Sequence, residues 1–182
     1  GWKEGGHMLE QIAYNRRAAV AYAHRWAFRR NPEYYDYEDI GGDCTNFASQ
    51  CLYAGSGVMD FTPDFGWYYL DANDKAPAWT GVEYFYRYLT RQTPTPGPTA
   101  DLVRLPQILP GDFVQLSSRD GIYTHTAVVV QVLGRPTFRS VLVASHSYDT
   151  DYRPLGTYSF QKARFLHITA VWRQQEAVSP IS

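Results

Sequence analysis

From Leu109 onward the hydrophobic period of the chain changes from that of a helix to that of a strand, and this switch constrains the fold more than any other feature. Pro110-Gly111-Asp112 reads as a turn feeding a short strand, Phe113 to Leu116, and Ser117 to Gly121 as a second turn. Tyr123 to Leu133 is a β-branched run, Gly134 to Thr137 a tight connection, and Phe138 to Ser147 another strand. Asp149 to Pro154 reads as loop and Lys162 to Trp172 as a final strand. Connections this short join antiparallel neighbours, because parallel pairs need a long crossover. Upstream the period is helical. Tyr14 to about Phe28 carries an apolar stripe of Ala19, Tyr22, Ala23 and Trp26, with Arg16, Arg17, Arg25 and Arg29 as a solvated face. Asn31-Pro32 stops it. A second helix starts at Cys44 and ends at Gly55-Ser56-Gly57. A third is marked by Thr80 and Glu83 as a capping box, with Val82, Phe85, Tyr86 and Leu89 buried. Pro94 to Pro98 forms a stiff surface loop. Helices followed by a meander define an α+β fold, with N-terminal helices packed on a C-terminal antiparallel sheet.

At 182 residues the chain fits one domain, taken as 11–175, with 1–10 a tag or linker and 176–182 a tail. A net charge of −1 gives no reason to expect nucleic acid or an anionic membrane as partner. No apolar run approaches the ~20 residues of a membrane helix, and no secretory leader is recognisable. Aromatic residues make up 16%, and many fall in an irregular stretch from Val58 to Trp79 that contains Trp67 and Trp79. Such a stretch either lines a groove or packs into the core, and both readings stay open.

One segment suggests chemistry. In Ile40-Gly41-Gly42-Asp43-Cys44-Thr45-Asn46-Phe47-Ala48, Asp43 can cap a helix whose apolar face carries Cys44, Phe47, Ala48, Cys51 and Leu52. A cysteine in a first helical turn sits among unpaired N–H groups, which favour a thiolate. Packing of Cys44 as a small hydrophobe is the competing reading. Cys51 lies two turns on, about 10 Å along the axis, beyond disulfide reach.

A nucleophilic cysteine needs a histidine. His24 sits on a helix flank and His167 in the last strand. If Gly134 to Thr137 is the loop, the ladder sets His125 opposite His146 on one face; a shift of one residue substitutes Ser145 or Ser147. A zinc site of Cys44, His125 and His146 matches no short metal motif, so no metal or other cofactor is expected.

The residues Gly42 to Gln50, the Pro-Gly-Asp turn, His125-Thr126-Ala127-Val128-Val129 and His146-Ser147-Tyr148-Asp149 together resemble the putative amidase domain family. Those are papain-like cysteine domains similar to the NlpC/P60 and CHAP peptidoglycan hydrolases. The upstream Tyr14-Asn15-Arg16 and the tryptophans Trp67 and Trp79 extend the similarity over most of the chain. The resemblance implies a papain-like NlpC/P60-type fold with Cys44 as nucleophile and His125 as general base and acid. His146 is then the third member, with Asp149 as its alternative. Asp43 and Tyr37 are placed at the oxyanion, and Trp67 and Trp79 at the substrate. The implied reaction is cleavage of a peptide-type amide, with cell-wall peptide as substrate, by a monomer secreted to a bacterial wall. Two alternatives are a non-catalytic sugar- or peptide-binding domain and an acyltransferase or transpeptidase on the same fold.

Overall fold

The computed structural model describes residues 3–4 and 7–176. Its elements in chain order are β1 (Lys3–Glu4), β2 (His7–Ile12), α1 (Arg16–Trp26), α2 (Cys44–Ser56), β3 (Tyr69–Asp71), β4 (Asp74–Lys75), α3 (Pro77–Thr80) and α4 (Val82–Leu89). There follow β5 (Gly97–Val103), β6 (Phe113–Arg119), β7 (Ile122–Val132), β8 (Val141–Ser145), β9 (Thr150–Pro154) and β10 (Lys162–Gln174). The architecture is α+β, as the change of period requires: helices lie against a large antiparallel sheet of order β1-β2-β10-β6-β7-β8-β9, with β5 also paired to β10.

β10 organises the sheet. Phe165 to Trp172 pairs with β5 on one edge, while β6 takes Lys162 to Leu166 and β2 takes Val171 to Gln174 on the other. The gap between β6 and β2 is closed by the Pro110-Gly111-Asp112 turn, whose Gly111 has φ +89. Asp112 accepts from the Ile168 and Leu109 N–H groups, from His167 Nδ1 and from Arg16, which also donates to the Pro110 and Ile168 carbonyls. Arg16 is therefore no part of a solvated face.

Two cores flank the sheet. On the helix side Phe47, Leu52, Trp67, Trp79, Phe85 and Leu89 pack on Phe113, Val128, Leu142, Ala144 and Leu166. On the far side Ile108, Val114, Ala127, Val129, Val141, Val143 and Leu155 form a second cluster. Both faces being covered explains why β7 reads as a continuous run of β-branched residues and not as an alternation.

Several expectations are corrected. Within the stretch taken as tag or linker, residues 7–10 belong to the fold, since β2 pairs with β10 and Leu9 is buried. Met8 is exposed and Leu9 buried on this strand, which lies between β1 and β10. The expected capping box is absent, because Thr80 ends α3 and Glu83 instead pairs with Arg164. Part of the expected Pro94–Pro98 loop, from Gly97, is strand β5, and Thr150–Pro154, expected as loop, is strand β9. The aromatic stretch contains the short β3–β4 pair and α3.

Candidate active site

Gly41 and Gly42 enter α2 with φ +87 and +99, a conformation that ordinary side chains disfavour. They let the chain turn from the tyrosine-rich loop straight into the helix. Asp43 stands at the cap position, yet its carboxylate makes no capping bond to the first turn. Oδ1 instead accepts from the Tyr37 N–H and from Asn46 Nδ2, both at 2.9 Å. α2 is enclosed nearly all round and not on one face only; even Thr45, Asn46, Ser49 and Gln50 are buried. Their polar atoms are satisfied by Thr126, Tyr35, Trp79, Trp67 and Tyr22.

Cys44 opens this helix at 7% exposure. Its Sγ lies 3.8 Å from Thr45 Oγ1, and the backbone N–H groups of Thr126 and Thr45 are directed at it. Contact with Thr126 sets the thiol against β7, one residue from His125. The position follows from the end of β8. The register Val128↔Ala144 leaves Thr126 beyond the last residue of β8, Ser145, so the sheet opens there and α2 fills the opening. Ser147 and Tyr148 then turn the chain away with φ +62 and +64, a strained pair for non-glycine residues.

His125 pairs with Leu116 of β6, and its ring lies 5.4 Å from that of Tyr158, centroid to centroid. Tyr158 Oη shares a hydrogen bond of 2.9 Å with Ser145, and the Arg153 guanidinium covers its ring. The Nε2 atom of His125 is buried without a hydrogen-bond partner, and no hydrogen bond joins the ring to the Cys44 thiol. Burial, reinforced by Arg153, lowers the His125 pKa to about 4. Burial also raises the Cys44 pKa, outweighing the donors from Thr126 and Thr45, with the Asp43 charge adding to the rise. At rest Cys44 is thus a thiol and His125 a neutral imidazole. The expectation of a thiolate made by the helix terminus alone is corrected, because desolvation of the charged form exceeds what the terminal N–H groups supply.

The structure separates His146 from His125. Next to the connection, which runs on to Ser140, the register is two residues off the expected pairing, and an irregularity between Val129 and Gln131 reduces this to one at the His125 end. His146 lies past the end of β8, buried, with Nδ1 2.5 Å from Asp43 Oδ2 and Nε2 2.8 Å from the Trp26 carbonyl oxygen. With both nitrogens engaged, it has none left for His125. Asp149 is also committed elsewhere, since both its oxygens accept from Arg30. Trp67 and Trp79 are fully buried with ring centroids 4.7 Å apart, and their N–H groups bond to Ser49 and Asn46 of α2. They are core and wall no groove. Tyr37 stays beside the cap through its N–H to Asp43; its hydroxyl is buried without a partner, and burial pushes its pKa up to about 12.

Thr126, Tyr158, Arg153 and the Trp26 carbonyl are the neighbours that sequence reasoning missed. Thr126 was recoverable as the helix-facing position beside His125, whereas Tyr158 comes from a loop after β9 with no local signature. Among the described residues no cluster of three His, Cys, Asp or Glu is disposed to hold a metal ion, and no helix is long and apolar enough to cross a membrane.

An α+β domain with a cysteine at a buried helix start and a histidine on the adjoining strand defines the class. The chain belongs to the family described as "Putative amidase domain", whose pattern matches residues 13–169. It is similar to two proteins of Bacillus subtilis (strain 168). Uncharacterized protein YhbB is 32% identical over 144 residues, covering 77% of this chain and 43% of that protein. Uncharacterized protein YjcM is 31% identical over 123 residues, covering 64% of this chain and 27% of that protein. The chain therefore spans less than half the length of either relative. No solved structure matches it significantly.

Proposed function

We propose that this domain is a cysteine-dependent amidase or peptidase of papain-like NlpC/P60 type, acting on a peptide-type amide, with cell-wall peptide as the substrate. The observation that carries the reading is the thiol of Cys44, held at the start of α2 against the Thr126 N–H, one residue from a histidine that is neutral at working pH. A neutral imidazole has a lone pair for the thiol proton, but burial disfavours the imidazolium, so the proton has to move as negative charge develops on the substrate. As Sγ attacks the amide carbonyl, the thiol proton passes to His125, the C–S bond forms, and the carbonyl oxygen takes the negative charge. The N–H of Cys44 stands where a helix start can hold that oxyanion, and one such donor contributes roughly 10²–10³ in rate. His125 then gives its proton to the leaving nitrogen as the C–N bond breaks, which leaves a thioester. Water, deprotonated by His125, attacks the thioester and releases a carboxylic acid and the free thiol. Secretion to a bacterial wall and a monomeric state belong to the same reading.

The test is release of new amino groups from purified cell-wall stem peptides by the parent chain and by Cys44→Ala and His125→Ala. Loss of at least ~10³-fold in each variant is expected. Turnover by Cys44→Ala at the parental rate would end the cysteine reading, and no turnover by the parent, with retained binding, would favour a binding domain.

A further inference from the structure

The His146–Asp43 pair has a proton count that assigns it a role. The Trp26 carbonyl can only accept, so Nε2 of His146, 2.8 Å away, carries a proton. Nδ1 faces Asp43 Oδ2 at 2.5 Å, and a carboxylate can likewise only accept. A second proton therefore lies between Nδ1 and Oδ2, so the pair as a whole is neutral, while Asp43, the member adjoining Cys44, keeps a residual field that raises the thiol. The pair is also rigid. The imidazole is stacked on Phe47 at 4.0 Å between centroids. The Asp43 N–H is 3.3 Å from Ser147 Oγ, and its carbonyl accepts from the Phe47 N–H at 3.0 Å. Every polar atom of the residue preceding Cys44 is thus held.

We propose that His146 acts through Asp43 and not through His125: the two form a positioning pair that fixes the turn presenting the Cys44 N–H and keeps an uncompensated carboxylate from standing beside the nucleophile. This rests on Cys44 being the nucleophile. Arg30 cannot take over the compensation. Its Nε is 3.7 Å from Asp43 Oδ2, but the same guanidinium also serves Asp36, Glu38 and Asp149. Tyr37 also feels the Asp43 charge, and toward Cys44 stands Tyr158, on which, as on His125, the Arg153 charge bears.

The experiment follows alkylation of Cys44 by iodoacetamide between about pH 5 and pH 10, read by peptide mass spectrometry on the full chain. His146→Gln leaves Asp43 without its partner and should raise the midpoint by about one pH unit, whereas Asp43→Asn should lower it. In the Asp43→Asn background His146→Gln should have no further effect; in the His125→Ala background its shift should persist. The reverse pattern, with the shift lost in His125→Ala and kept in Asp43→Asn, makes His146 a partner of His125 and overturns the proposal. So does an unmoved midpoint in a folded His146→Gln. If that variant does not fold, Asp43→Asn alone decides, and a midpoint unchanged or raised is fatal. Cys44 reacting like an ordinary thiol in both the parent and His125→Ala would remove the nucleophile assignment itself, a result visible before any His146 variant is made.

Discussion

His125 shows how a single residue joins chemistry to stability. The interior that keeps its ring neutral holds the folded-state pKa at about 4, below the ordinary value near 6.5. Above about pH 6.5 both folded and unfolded chains carry neutral imidazole, and the residue is neutral toward stability. As pH falls from about 6.5 toward 4 the unfolded chain takes up a proton that the folded chain refuses, so stability falls. The loss is on the order of 1–3 kcal/mol, with its upper end reached only if the ring stays shielded from solvent. Urea unfolding at pH 7 and at pH 4.5 checks this. His125→Asn should lose less stability between the two conditions than the parent, and equal losses would contradict the burial argument. The same burial keeps Cys44 protonated at rest, so proton transfer has to accompany attack instead of preceding it.

Among the elements, the Pro110-Gly111-Asp112 turn is what joins helix to sheet. Asp112 is wholly buried and bridges Arg16 of α1, His167 and the Ile168 N–H of β10, and the Leu109 N–H. Asp112→Ala strands several donors in the gap between β6 and β2, at a cost of about 3–5 kcal/mol. A shift in the midpoint of chemical unfolding measures it, with Asp112→Asn losing less because some acceptor capacity remains. Tyr14 adds a second tie, its hydroxyl donating to the Gly111 carbonyl at 2.7 Å. The turn was legible as a turn; its position between two strands on one edge of β10 was not, because nothing local records which strands flank it. α2 repeats the lesson. Its bounds and its glycine C-cap, Gly57 at φ +70, follow from local rules. Its burial on every side does not, since Ser49, Asn46 and Gln50 look solvent-facing until their distant partners are in place.

Over the whole molecule, the sheet is longer than its central meander. β2, from the first residues of the fold, closes on the last turns of β10 and buries Leu9 against them. Leu9→Ala should cost about 2–4 kcal/mol, seen as a lowered melting temperature; a change within experimental error would mean that β2 does not contribute to the folded core. The two-sided core also explains where the aromatic residues go. Trp67 and Trp79 pack on α2, while Phe65, at 86% exposed, and Tyr148, at 92%, remain outside. Tyr148 lies one residue beyond Ser147, whose hydroxyl meets the cap of α2.

What the chain determined by itself were the features set by short-range physics. The helix starting at Cys44, the switch to β-branched strands and the antiparallel order rest on spacing within a few residues, whereas His125 was nominated by an expected pairing with His146 and by the family resemblance. Tertiary structure decided which candidates meet. A one-residue difference in the β7–β8 register, too small for any local pattern to specify, takes His146 from His125 and gives it to Asp43. The charge states at Cys44 and His125 were decided there too, because desolvation depends on everything packed around a group. A helix terminus can be read from the sequence, but how deeply it is buried emerges only when the second core and the loop after β9 close over the opening where β8 ends.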